Sequence, residues 1–194
     1  MDNELPTQLD GVSVTLNGEK AFVNYISPTQ INILTPPDLA AGTVQVQVTT
    51  NAGTSTSFTA LAQAESPSFF IFGGGPYVVA THGDGTFIGP TSLYSGQTTP
   101  AQRGETIVLY ANGFGPTSTP VVSGSETQSG SLNSLPVITI GGIPATVQFA
   151  GLISPGLFQF NVVVPASTPA GDNALTATSN NLTTQSGVLV TVGP

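Results

Sequence analysis

Residues 27–42 read SPTQINILTPPDLAAG, and residues 154–171 read SPGLFQFNVVVPASTPAG. Gln30, Asn32, Pro36, Ala41 and Gly42 return as Gln159, Asn161, Pro165, Ala170 and Gly171 at one constant offset of 129, and Asn51 returns as Asn180 at the same offset. Upstream, Leu16-Asn17-Gly18 and Ala21-Phe22-Val23 parallel Ile140-Gly141-Gly142 and Ala145-Thr146-Val147 at an offset of 124, so a small insertion near Gly151 separates the two alignments. The phrase occurs twice because a fold occurs twice.

Each copy alternates apolar and polar residues with a period of two, as in Val12, Val14, Leu16, then Ile31, Ile33, then Val44, Val46, Val48, and in the second copy Phe158, Phe160, Val162, Val164. That period places successive side chains on opposite faces of a half-buried strand. Turn signals recur between the strands: Asn17-Gly18, Ser27-Pro28, Pro36-Pro37-Asp38, Asn51-Ala52-Gly53, Gly141-Gly142, Pro165 to Gly171 and Asn180-Asn181. Short strands at such spacing describe an antiparallel β-sandwich.

Composition excludes several classes of function. Charged residues make up 6% of the 194, Lys20 and Arg103 are the only strong cations, and the formal charge is −8. No basic patch exists to neutralise phosphates, which excludes nucleic acid as a partner and argues against anionic membrane surfaces. Cysteine is absent, so no thiol chemistry or thiolate metal site is available. No stretch reaches the roughly 18 apolar residues of a spanning helix, and membrane insertion is not expected. The N-terminal MDNELPTQLDG lacks the basic and apolar regions of a signal peptide; the reading expects a segment of a longer protein.

The stretches GETIVLYANGFGPTS (104–118), VITIGGIPATVQFAGLISPGLFQFNVVVP (137–165) and VNYISPTQINILTP (23–36) resemble the Solibacter-type C-terminal domain family, found at the ends of large exported bacterial proteins. Its repeats are similar to IPT/TIG domains, which are immunoglobulin-like modules. The resemblance runs from about Leu5 to Val192. It implies two tandem immunoglobulin-like sandwiches and an extracellular or cell-surface setting, and it implies neither an activity nor a cofactor.

The expected division is 5–72 and 73–194, joined at Gly73-Gly74-Gly75, with a hairpin over 77–88 opening the second domain. About 90 residues, from Ala101 onward, serve the second copy, whereas the first begins at Gly11 and has no counterpart of Glu105 to Ala111. The first sandwich is therefore expected to lack its N-terminal strands and to present an open sheet edge. Phe69–Phe72 (FFIF), the strand YVVATH at 77–82, or another copy of the chain would fill the gap.

Residues required in both copies are read as scaffold, so Gln30, Asn32, Gln159 and Asn161 are expected to hydrogen-bond the neighbouring loop backbone. Function is sought in what the copies do not share, residues 67–104 and the polar loop 116–135. There, His82 and Asp84 are candidate metal ligands with Glu105 as a distant third, although Gly83-Asp84-Gly85 reads first as a turn and no HxH, HExxH or DxDxDG spacing is present. Tyr77, Tyr94, Tyr110 and Phe114, together with Phe87, are candidates for a sugar-stacking face. No GxSxG accompanies the serines, and no helix follows Gly73–Gly75 to hold a phosphate. These residues lead to a non-catalytic module for adhesion, spacing or assembly whose partners are other copies of itself. A carbohydrate or surface-polymer binding module stands second, and a weak, metal-assisted hydrolase third.

Overall fold

A computed structural model of the protein describes residues 3–36, 38–73 and 75–194, whose regular structure is all β. The chain divides into two compact units: Met1–Ala64 with Val121–Gln128, and Glu65–Pro120 with Ser129–Pro194.

The first unit holds β1 (Ser13–Leu16), β2 (Glu19–Lys20), β3 (Phe22–Ile26), β4 (Ile31–Leu34), β5 (Gly42–Thr50), β6 (Gly53–Thr54) and β7 (Phe58–Ala62). One sheet runs β2-β1-β5-β6 with β7 also on β5, and the other is the pair β3-β4. The β1–β2 turn is tight because Asn17 and Gly18 both take left-handed backbone, φ 51° and 88°. Alternation then points Val14, Leu16 and Val44 into the core, with Ile31, Ile33 and Val46 packed against them. Residues 121–128 join this unit from the long polar loop. The Leu5 amide donates to Gly124 O (2.7 Å) and the Glu126 amide to Asn3 O (3.0 Å). Gly124 lies against the Phe22 ring, where a Cβ would sit 2.4 Å from a ring carbon.

The second unit opens with β8 (Ser68–Phe69), β9 (Ala80–Thr81), β10 (Phe87–Ile88), β11 (Thr98–Thr99), β12 (Thr106–Asn112) and β13 (Gly130–Ser131). Then come β14 (Val137–Ile140), β15 (Ile143–Pro144), β16 (Thr146–Ser154), β17 (Leu157–Val163), β18 (Gly171–Ser179), β19 (Leu182–Thr183) and β20 (Leu189–Val192). Its larger sheet runs β11-β10-β9-β12-β17-β16-β13, with β8 on β12; β15-β14-β18-β19, with β20 on β18, forms the facing one. Phe69, Phe114, Phe158 and Phe160 interlock between them, the Phe114 and Phe160 centroids 4.6 Å apart.

Strands β14–β20 repeat β1–β7 one for one. Leu16 faces Val46 as Ile140 faces Leu175, and Val14 faces Val48 as Ile138 faces Ala177. The Thr49–Thr54 hydroxyl pair (2.9 Å) returns as Thr178–Thr183 (3.1 Å). Even the irregularity in β3 between Val23 and Tyr25 returns in β16 between Val147 and Phe149. The insertion lies where the offsets placed it, in the β16–β17 hairpin. Ile26 pairs with Ile31, and their counterparts Ala150 and Phe160 are separated by a longer turn that adds pairs such as Gly151 with Gln159.

Three expectations are corrected. The units part at Ala64/Glu65 rather than 72/73, because β8 pairs with β12 and Phe69 is buried in the second core. Gly73 and Gly75 therefore lie inside the second unit, where the Gly75 amide donates to Phe72 O (2.7 Å); Gly74 is outside the described residues. FFIF and YVVATH are committed to that same unit and leave the first one's gap unfilled.

Candidate functional site

The two copies differ most at one strand. In the second, β17 lies between β16 and β12, and β12 pairs antiparallel with it from Thr106↔Val163 through Leu109↔Phe160 to Ala111↔Phe158. Phe160 and Val162 are fully buried as a result. Their counterparts are Ile31 and Ile33 of β4, which pairs with β3 alone among the described residues. Both isoleucines are only half-buried, and no hydrogen bond among the described residues reaches the far side of β4. On that side, residues Ile31 to Leu34 thus present backbone donors and acceptors with no partner among the described residues, beside an apolar face.

The repeated amides sit on that strand's outer face. Gln30 Nε2 donates to Asn32 Oδ1 (2.6 Å), and Gln159 Nε2 donates to Asn161 Oδ1 (2.8 Å). They bond one another rather than loop backbone, since residues two apart on a strand share a face. Gln159 and Asn161 are half-covered, whereas Gln30 and Asn32 are exposed. No charge or proline interrupts residues 29–35, so the usual deterrents to edge pairing are absent.

Of the candidate metal ligands, His82 and Glu105 are brought into contact, while Asp84 is taken up by the hairpin. His82 Nδ1 meets Glu105 Oε1 at 2.5 Å, its Nε2 meets Thr99 Oγ1 at 2.9 Å, and Glu105 Oε2 accepts from the Gln102 amide (2.7 Å). Asp84 serves the hairpin: its Oδ1 accepts from the Thr86 hydroxyl (2.7 Å) and amide (2.9 Å). Those bonds, the hydroxyl first, hold its carboxyl below the usual range. Among the described residues no three His, Asp or Glu side chains converge as a metal would need.

The candidate aromatics scatter. Phe114 is 2% exposed and belongs to the core, and Tyr110 is half-buried in β12, so neither can offer a free face. The Tyr77 hydroxyl donates to Asp172 Oδ2 (2.9 Å), and that bond raises its pKa. Tyr94 and Phe87, each more than a third exposed, both meet Phe72 edge-on at 5.4 Å. Phe72 was read only as part of the FFIF strand candidate and not among the stacking aromatics.

Residues 3–62 match the family described as IPT/TIG domain. No curated protein matches the chain. Among solved structures, the mixed-linkage glucan utilization locus SGBP-B of Bacteroides ovatus, in complex with a mixed-linkage heptasaccharide, aligns over 93% of this chain at 16% identity with a TM-score of 0.33. The present chain spans 36% of that one.

Proposed function

We propose that the protein is a non-catalytic assembly module, carried outside the cell within a longer polypeptide of the Solibacter-type family, whose first unit associates through the open β4 edge with the β4 edge of a second copy. The observation that carries this reading is internal to the chain: the same strand is covered by β12 in the second unit and bare in the first. A two-fold antiparallel pairing centred on Asn32 sets Ile31 against Ile33 of the second copy, extends the Gln30–Asn32 amide row across the junction, and keeps each apolar side chain on the core face. Covering the half-exposed isoleucines contributes about 1 kcal/mol each. A pairing of five residues falls short of the roughly 1,200 Å² of a stable interface, so the dimer is weak, with a dissociation constant on the order of 10⁻⁴ M, and gains strength from tandem display.

Sedimentation velocity from 10 µM to 1 mM tests this. The native chain is expected to move from monomer to dimer across that range, and Asn32→Lys, which sets like charges opposite one another on the exposed face, to stay monomeric with an unchanged melting temperature. A native chain monomeric at 1 mM, or an Asn32→Lys chain that still dimerises, would sink the proposal. Surface-polymer binding is the second reading, favoured by the part-exposed Tyr94 and Phe87 gathered on Phe72. Glycan-array binding lost in Tyr94→Ala would establish it; a blank array removes it.

A further inference from the structure

The two units also differ at β7. Its counterpart is β20: Ala62 faces Gly42 as Val192 faces Gly171, and Ala60 faces Val44 as Val190 faces Asn173. In the second unit, the side of β20 away from β18 is closed by two short stretches that run parallel to it. The Leu189 amide donates to Pro76 O and its carbonyl accepts from the Val78 amide, both at 3.0 Å. Further along, Thr191 O accepts from the Ala101 amide (3.0 Å) and the Gly193 amide donates to Ala101 O (2.7 Å). Val78 and Ala101 thereby join the core that holds Val188, Val190 and Val192.

At β7 the same side is bare. On β5 the Gln45 carbonyl accepts from the Asn17 amide (2.9 Å) and the Gln45 amide donates to Asn17 Oδ1 (2.8 Å), so both backbone groups of Gln45 point away from β7. In an antiparallel pair the residue opposite, Thr59, then turns its own N–H and C=O outward, and so does Leu61 two residues on. No hydrogen bond among the described residues reaches those four groups. The core-facing side is open as well. Phe58 is 71% exposed where its counterpart Val188 is 2% exposed, and Ala60 and Ala62 are half-buried where Val190 and Val192 are enclosed. Residues 54–64, TSTSFTALAQA, hold no charge and no proline, so the usual deterrents to pairing are missing here too.

The edge itself selects the class of occupant. Donor and acceptor recur together on alternate residues, about every 6.6–6.8 Å, which is the repeat of an extended polypeptide. The cover on β20 shows which polypeptide fits: a parallel strand, uncharged, entered through a proline, with apolar side chains on the core face. The chain's own stretches of this kind, 76–78 and 100–101, are taken up by the second unit. We propose that the first unit receives such a strand along β7 from a separate polypeptide, by β-augmentation. Its backbone meets Thr59 and Leu61 as Pro76, Val78 and Ala101 meet Leu189 and Thr191, and its apolar side chains cover Phe58, Ala60 and Ala62. This edge is distinct from β4, and the inference does not rest on dimerisation there.

Amide chemical shifts of the isotopically labelled full chain, titrated with the end-blocked peptide GPYVVATHG (the sequence of residues 75–83), test the edge. Saturable shifts centred on residues 58–63, with slowed hydrogen exchange at Thr59 and Leu61, are expected at about millimolar peptide, since so short a strand covers far less than a standard interface. N-methylation of the peptide at the Val78 position removes the donor to Thr59 O and should weaken binding about tenfold or more. Leu61→Pro removes an outward N–H that β5 does not use, a change that edge strands tolerate, and should abolish binding while keeping a dispersed spectrum. No saturation below about 10 mM, or equal affinity for the N-methylated peptide, would overturn the proposal. So would shifts centred on residues 188–192, meaning exchange into the second unit, or on 30–34, meaning the β4 edge. Shifts at 58–62 that follow protein concentration without peptide would make a second copy the occupant and reject the separate strand. Should Leu61→Pro lose its fold, the N-methylated peptide decides.

Discussion

Gly113→Ala and Gly142→Ala form a matched pair that isolates the demand the Glu65 loop places on its backbone. Both glycines are left-handed, at φ 74° and 77°. A side chain pays about 1–2 kcal/mol for that conformation, offset by about 0.4–1 kcal/mol of lost freedom in the unfolded chain. Gly142 has nothing within 4 Å of its added Cβ, so its substitution should cost roughly 1 kcal/mol and no more. At Gly113 the same carbon would sit 2.0 Å from the Ser66 carbonyl oxygen, a backbone atom that cannot swing aside. Relief requires moving residues 65–67, which breaks the Ser66 N–H to Gly113 O bond (2.8 Å), about 0.5–1.5 kcal/mol, and loosens Phe69 in the core. Overpacking adds roughly 1–3 kcal/mol, giving about 3 kcal/mol or more in total.

Equilibrium urea unfolding of the two variants and the parent, read by near-ultraviolet tyrosine signals, measures the difference. Gly113→Ala is expected to lose at least 2 kcal/mol more than Gly142→Ala. Equal losses would refute the reasoning, because they would mean that the 65–67 segment does not lie against the ANGFG loop as described.

Phe114→Ala should cost about 3–5 kcal/mol, as expected for a ring packed against three others, whereas Tyr94→Ala should cost clearly less in the same unfolding assay because its ring is partly in solvent. Asp84 has a lowered folded-state pKa, so its contribution is full above about pH 4 and is lost as pH falls through the folded value; an acid titration of stability should show a shallower decline in Asp84→Asn. Tyr77 is shifted upward, so its contribution is full below about pH 10 and lost as pH rises through the folded value; Tyr77→Phe should remove part of the alkaline loss.

The repeat made the second sheet and its register legible. A constant offset fixes which residues are equivalent and a period of two fixes which face is buried, so the string says that Ile140 and Leu175 stand to each other as Leu16 and Val46 do, while the pairing itself is seen only in the structure. That β4 pairs with β3 alone among the described residues agrees with the shorter lead-in of the first copy. What the string hides is where unshared segments go. Residues 121–128 join the first unit through backbone bonds to Asn3 and Leu5, and backbone bonds leave no compositional mark. FFIF does not alternate, since Phe69 and Phe72 lie inside and Phe70 and Ile71 outside, and nothing in it says which core it enters.

Recurrence of one strand pattern in both units directs attention to where the units differ. Seven strands, their registers, the threonine pairs and the β3 irregularity recur in both units, and each such feature is accounted for by folding. Two differences are not. In the first unit no strand among the described residues covers Ile31 and Ile33, and in the second a Glu65 carboxylate oxygen has no hydrogen-bond partner among them. A sandwich that only had to fold would be under no pressure to retain either, since an uncharged open edge invites association and a buried orphan oxygen lowers stability. The open edge of β4 becomes intelligible if it is met from outside by a strand, and so does that of β7. The two edges are separable: Asn32→Lys should abolish dimerisation and leave affinity for the 75–83 peptide intact, and Leu61→Pro should do the reverse. Loss of both properties in either variant would mean that global stability, not a site, had been measured.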